Sequence, residues 1–270
     1  MYDEVNTAIS EEYKKYLKNH KRKKIAIRIS RIIILIFIFV LWEIAAQKEW
    51  IDPFIMSQPS RILDTLITMG KDGSLFIHTG VTVYETLVGF ITGTILGTLI
   101  AIALWWSDFL ARVLDPYLVV LNALPKTALG PIILVWIGGT TKSIIVMALL
   151  FSIIVTIINV FTSFRNCDED KIKLLKTFGA NRKQILSKVV LPSGITTFIS
   201  TLKINVGLSL VGVIVGEFLV SKAGLGYLII YGGQVFKMDL VMTSVIILAI
   251  VAAALYLSVL WIEKKVLKMM

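Results

Sequence analysis

Residues 143–161 read SIIVMALLFSIIVTIINVF, nineteen residues with no charged side chain. A helix of that length rises about 28 Å at 1.5 Å per residue, close to the ~30 Å of hydrocarbon in a bilayer. The run therefore reads as a membrane span, and comparable runs flank it on both sides. Upstream they cover about 31–46, 79–106 and 116–137; downstream they cover about 195–220 and 240–261. An all-α integral membrane chain of about six helices follows. Trp42, Trp50, Trp105, Trp106, Trp136 and Trp261 fall near the ends of these runs, where interfacial aromatics belong. Composition agrees: 56% of the 270 residues are hydrophobic and 17% charged, against roughly 45–50% and 25% in soluble domains. Mean hydropathy is +0.82.

The charges give these spans a direction. The first run follows Lys14, Lys15, Lys18, Lys21, Arg22, Lys23, Lys24 and Arg28, and Glu43 marks its far end. A secretory signal would have a shorter basic region and a small-residue cleavage site, so a retained helix is expected. With the N-terminus inside, 20 of the 28 Lys and Arg residues fall on inside segments. Six fall outside (Lys48, Arg61, Lys71, Lys142, Lys222 and Lys237), and Lys126 and Lys203 lie within spans. The positive-inside rule then predicts a multi-pass protein of the cell membrane with both termini cytoplasmic. Charge sorted in this way also accounts for the net +10 without a nucleic-acid partner. Cys167, the one cysteine, excludes an internal disulfide or a cysteine metal cluster.

The inside loop after the fourth span, 165–192, reads RNCDEDKIKLLKTFGANRKQILSKVVLP. Asp168 is suited to cap a short helix, with Ile172, Leu175 and Phe178 repeating at helical spacing. Gly179 suits a left-handed terminus, and Asn181 can cap a second helix carrying Ile185, Leu186, Val189 and Val190 until Pro192 breaks it. Such a helix-turn-helix can enter a groove on a soluble partner, or it can rest on lipid headgroups. Periodicity alone does not choose between the two.

At this loop the chain resembles the permeases of ATP-driven (ABC-type) importers, whose E-A-A, Gly and Leu-Pro elements recur in fixed order. Lys173-Leu174-Leu175 stands in the E-A-A position, and Gly179, Val189, Leu191 and Pro192 follow at the family spacing. Lys173 departs from the family's acidic residue. The similarity extends over about 42–268 and is nearest the nitrate, sulfonate and taurine type. It is carried by Gln58-Pro59-Ser60, Gly89-Phe90, Asp115-Pro116, Pro125-Lys126-Thr127-Ala128, Gly216-Glu217 and Gly224-Leu225-Gly226-Tyr227. Glu85 departs too, standing where the family often has Arg.

The resemblance implies a MetI-like permease fold over 31–270 behind a basic segment, 1–30. It implies two permease copies, expected to be a homodimer, working by alternating access. Each would dock through 171–192 on an ATP-binding subunit, with Lys173, Leu174, Leu175, Phe178, Gly179, Ala180, Leu191 and Pro192 in the coupling surface. ATP and Mg would belong to that subunit, and no cofactor to this chain. A solute-binding protein would deliver a small anion of the sulfonate, taurine or nitrate kind, or alternatively a vitamin precursor such as a thiamine pyrimidine.

Within the spans, Gly89, Gly93 and Gly97 form a small-residue row suited to close helix packing. Pro125 and Pro131 interrupt the third run, and interrupted helices in transporters line cavities. Lys126 lies between them, where a charge must face water, an anionic solute, or a carboxylate such as Glu85 or Glu217. Asn122, Asn159, Asn205, Ser209 and Glu217 are further candidates for the path, though polar residues in spans also bond helix to helix.

The chain has no phosphate-binding loop: 138–143 lacks the glycine before its lysine. His20 and His78 both lie outside the expected spans, which leaves no intramembrane histidine chemistry. A transporter driven by an ion gradient would instead show buried acidic relays or inverted repeats across many helices.

Overall fold

The computed structural model describes residues 2–267, with side chains over 13–266; Lys268, counted above among the inside cations, lies outside the described residues. The elements among the described residues are all helices, in the order α1 (Tyr2–Gln47), α2 (Pro53–Met56), α3 (Pro59–Lys71), α4 (Ser74–Trp106), α5 (Asp108–Ala123), α6 (Gly130–Ile137) and α7 (Thr141–Arg165). Then come α8 (Glu169–Thr177), α9 (Arg182–Ile185), α10 (Leu191–Val220), α11 (Leu225–Gln234) and α12 (Met238–Leu267). Among the described residues five helices are long and apolar enough to cross a membrane, and α5 with α6 makes a sixth if the bent pair is one span.

The chain divides into two compact units, Met1–Asp64 and Thr65–Met270. In the first, α1 runs unbroken from the basic segment through the apolar run, and from Arg31 to Leu41 that run is exposed. In its last turns, the Glu43 carboxylate accepts the Ser60 N–H at 3.0 Å and the Ser60 hydroxyl at 2.9 Å. Glu43 thus satisfies donors left open at the start of α3, and Asp52 does the same for α2 by accepting the Phe54 N–H at 2.8 Å.

The second unit is organised around α7, which lies between α4 and α10. Its apolar run, the one quoted first above, is buried at Ile144, Met147, Ala148, Ile154, Ile157, Val160 and Phe161. Small residues let the three backbones approach. A Cβ on Gly97 would fall 2.6 Å from the Thr156 Cβ, and one on Gly212 would fall 2.7 Å from the Ala148 Cα. Gly89 and Gly93 meet Ala148 and Ser152 in the same way. Below α4, hydrogen bonds from the Ser74 hydroxyl and N–H hold the Asp72 carboxyl below its usual range.

Two expectations are corrected. The third span, read over 116–137 with interruptions at Pro125 and Pro131, is broken near the first but not at the second, since Pro131 opens α6 within its first turn. The span begins at Asp108, capped by Ser107, passes through Pro116, and breaks after Ala123 with a 92° bend before the 3₁₀ turn Lys126–Leu129. The cause is local: Leu124 precedes a proline and is held extended at φ −62°, ψ 133°. Pro192, conversely, does not break its helix. Arg182–Val220 is continuous, because Leu186–Val190 winds as a π-helical turn just before the proline. A π turn relocates the carbonyls that the ring would otherwise strike and leave unbonded. Helices α3 and α11, which the apolar runs do not announce, pack together with α12 in a cluster around Met69, Leu225, Leu228, Ile247 and Val251.

Candidate functional site

The loop after α7 folds largely as its residues suggest. Asp168 caps α8 by accepting the Asp170 N–H at 3.0 Å. Gly179 takes φ +75°, the left-handed conformation in which glycine carries no side-chain penalty. Asn181 and Gln184 form a reciprocal capping box at 2.9 and 2.8 Å. The apolar face, however, is divided. Ile172, Leu175 and Ala180 turn inward onto the cluster of Phe161, Phe164, Ile185 and Val190, whereas Leu174 and Phe178 point outward at 56% and 77% exposure. Leu174 and Phe178 lie four apart, so they share one side of α8. Lys173 is held by the helix's own first turn, 3.6 Å from Glu169 and 3.3 Å from Asp170. Leu191 and Pro192 open α10, well past the turn.

At the break in the third span, Lys126 donates to the Asn122 carbonyl at 3.4 Å. The expected alternative of a carboxylate partner on Glu85 or Glu217 is not what is found. Those two carboxyls face one another, each in a residue only 1% exposed. Glu217 Oε1 accepts the Thr82 hydroxyl at 2.7 Å, and Oε2 accepts the Gly226 N–H at 2.5 Å. A Cβ on Gly226 would stand 2.8 Å from Oε2, which explains the Gly-Leu-Gly sequence there. Asn205 is fully buried between helices, donating to the Thr156 hydroxyl oxygen at 2.6 Å and to that of Thr94 at 3.5 Å. Ser209 is buried one turn further along α10, and Asn159 is half-buried on α7. The structure thus brings Asn122 and Lys126 together at the broken span and sets Asn205, Ser209 and Glu217 inside the bundle. Among the described residues no three His, Cys, Asp or Glu side chains could hold a metal ion.

Sequence reasoning missed the role of Thr82, which links Glu217 to α11, and the stacking of Arg182 on Trp105 and Trp106, 5.7 Å from each ring. The paired tryptophans were the available signal for the second.

Residues 93–268 match the family described as binding-protein-dependent transport system inner membrane component. The chain belongs to that family. It is therefore a permease subunit of an ABC importer, not an enzyme, and the family implies a separate ATPase and a substrate-binding protein as its partners. A probable ABC transporter permease protein of Haemophilus influenzae is 31% identical over 83% of this chain and 91% of its own length. The formylaminopyrimidine transport permease of Halalkalibacterium halodurans is 27% identical, covering 71% of this chain and 76% of its own. The taurine transport system permease of Escherichia coli is 22% identical over 84% and 85%. Two solved structures share the fold. An inward-facing MetNI methionine ABC transporter gives a TM-score of 0.57 at 18% identity, over 72% of this permease and 94% of that chain. An amino acid ABC transporter with histidines gives 0.58 at 16%, over 76% and 98%.

Proposed function

We propose that this permease forms, with a second copy of itself, the pathway for a small anionic solute of the sulfonate, taurine or nitrate kind. Its α8–α9 loop transmits the movement of the ATPase. The observation that carries the reading is the division of α8. Ile172 and Leu175 anchor the helix to the span ends, while Leu174 and Phe178 stand out as an apolar pair for another protein to cover. Because the anchored side is continuous with α7 and α10, a push on Leu174 and Phe178 reaches the spans as a unit. The loop and both termini are assigned to the cytoplasm on the sorting of basic residues. ATP and Mg act on the ATPase, and a solute-binding protein supplies the outer face.

For the pathway itself we assign Lys126 and Asn122, which meet at the 92° break of the third span. A broken helix offers unpaired backbone groups and, here, a cation toward an anionic solute. Asn159 remains a wall candidate on α7; Asn205, Ser209 and Glu217 are assigned to helix packing, since they are buried among helices. A second reading of the solute, a pyrimidine vitamin precursor, is supported by the 27% identity to the formylaminopyrimidine permease, which equals the 27% to a putative aliphatic sulfonates permease of Bacillus subtilis.

The test is reconstitution of the permease with its ATPase and binding protein, reading ATP hydrolysis and uptake together. Solute-stimulated hydrolysis that survives Phe178→Ser with Leu174→Ser would sink the coupling role. Competition of uptake by taurine, nitrate and formylaminopyrimidine decides between the solutes.

A further inference from the structure

Behind the coupling loop lies an open cavity of about 830 Å³, lined by the end of α4, the start of α5, the end of α7, and α8 and α9. Four cations on four different elements line it: Arg112 of α5, Arg165 of α7, Lys176 of α8 and Arg182 of α9. Three carboxylates line it too, but Glu169 is engaged by Lys173 at 3.6 Å. Asp108 and Asp115 make no ion pair with any of the four. Four cations stand against three carboxylates, one of them turned to Lys173, so the lining keeps an excess of positive charge. Aromatic rings lie against two of the three guanidinium groups. Arg182 lies over Trp105 and Trp106 and reaches the Trp105 carbonyl at 3.5 Å, and Arg165 lies 5.8 Å from the Phe161 ring.

A second cavity of about 350 Å³ adjoins the first, sharing Asp115, Phe161 and Arg165 with it. It runs along the seam between α5 and α7, where Leu118, Val119 and Ile158 make its apolar part and Thr162 and Asn166 its polar end. A cationic chamber that continues into an apolar seam between two spans has the shape and polarity of an amphiphile. A free anion would fill the chamber and leave the seam unused. Guanidinium forks match phosphate oxygens two at a time, and basic pockets between helices at the inner face take phospholipid headgroups.

We propose that the two cavities form a binding site for one anionic glycerophospholipid, its phosphate among Arg112, Arg165 and Arg182 and an acyl chain along Leu118, Val119 and Ile158. The site rests on the reading that the α8–α9 loop lies on the cytoplasmic face. A lipid seated there braces α8 against α5 and α7, which makes the coupling loop responsive to the anionic lipid content of the membrane.

The test uses the complete transporter in nanodiscs of phosphatidylcholine with and without phosphatidylglycerol. Native mass spectrometry counts the phospholipids retained after detergent washing. Selective retention of phosphatidylglycerol is expected, reduced about fivefold for each arginine removed in Arg112→Gln and Arg165→Gln, and kept in the Arg112→Lys, Arg165→Lys variant. Val119→Asp should also lower retention with all four cations in place. Equal retention of both lipids, or retention indifferent to these variants, overturns the proposal. So does displacement of the lipid by millimolar glycerol phosphate, which would mark a free-anion site, and so does loss of the ATPase from the arginine variants, which would make the cavity part of that interface. Lipid retention is read without transport. If Phe178→Ser leaves coupling intact while retention still follows the arginines, the coupling role falls and the lipid site stands.

Discussion

The Thr82 hydroxyl donates to Glu217 Oε1 at 2.7 Å and accepts the Leu225 N–H at 2.8 Å, so one side chain of α4 joins the end of α10 to the start of α11. All three groups are buried. Replacing Thr82 by Val keeps the shape and removes both bonds, leaving the Leu225 N–H without a partner and the Glu217 carboxyl with one donor fewer. Each such loss costs about 1–3 kcal/mol. Thr82→Val should therefore lower the thermal midpoint of the detergent-solubilised protein clearly, and Thr82→Ser should restore most of it. A Thr82→Val protein as stable as the parent would show that this link is not structural.

Glycines of α4 separate into two kinds, and alanine scanning should sort them. Gly80 has nothing within 4 Å of where a Cβ would stand, whereas a Cβ on Gly93 would overlap the Ser152 hydroxyl and lie 3.3 Å from the Leu149 carbonyl. Gly80→Ala should stabilise by about 0.4–1 kcal/mol, since alanine restricts the unfolded chain and suits a helix. Gly93→Ala should destabilise by about 1–3 kcal/mol through overpacking. Opposite signs in paired melting curves are the expected result; equal signs would refute close packing of α4 on α7.

Lys203 Nζ lies 2.8 Å from Glu263 Oε1, tying the last turns of α12 to α10. Both side chains are mostly buried, so removing one leaves the other charge short of both water and partner. Lys203→Met and Glu263→Gln should each cost about 1–3 kcal/mol, while the double variant should cost less than their sum. Additive effects in that double-mutant cycle would mean that the two do not interact.

What could be read from the sequence was whatever is set locally or by the bilayer. The apolar run at 143–161 became the centre of α7, and Asp168, Gly179 and Asn181 became caps because capping depends on residues within one turn. Pro192 was misjudged because a proline's effect depends on whether the preceding turn can widen, which no residue type announces. The partners of Lys126, Glu85 and Glu217 were also out of reach, since they depend on which helices meet. Ile172 and Phe178 are six residues apart, about 120° around a helix of ~3.6 residues per turn, so Phe178 turns away from the face that Ile172 buries. Helix α11 escaped notice for a related reason: it is too short to read as a span, and its position follows from Glu217 gripping the Gly226 N–H.

The division of α8 yields the sharpest prediction, because neighbouring apolar residues should fail in different ways. Ile172 packs on the Phe161 and Phe164 cluster, so Ile172→Ser should cost stability, about 2–4 kcal/mol for an apolar side chain made polar in a partly buried site. It should impair transport only as far as it lowers the amount of folded protein. Phe178 is 77% exposed, so Phe178→Ser should leave the melting curve unchanged while abolishing solute-stimulated ATP hydrolysis. Lys173→Glu adds a third outcome. It would place a carboxylate beside Glu169 and Asp170, which now neutralise Lys173 at 3.6 and 3.3 Å, and like charges one turn apart weaken a helix by a few tenths of a kcal/mol. That variant should therefore retain coupling with a slightly frayed α8, seen as faster amide exchange over Glu169–Thr177. Loss of coupling in Lys173→Glu with no change in exchange would mean that the lysine itself touches the ATPase.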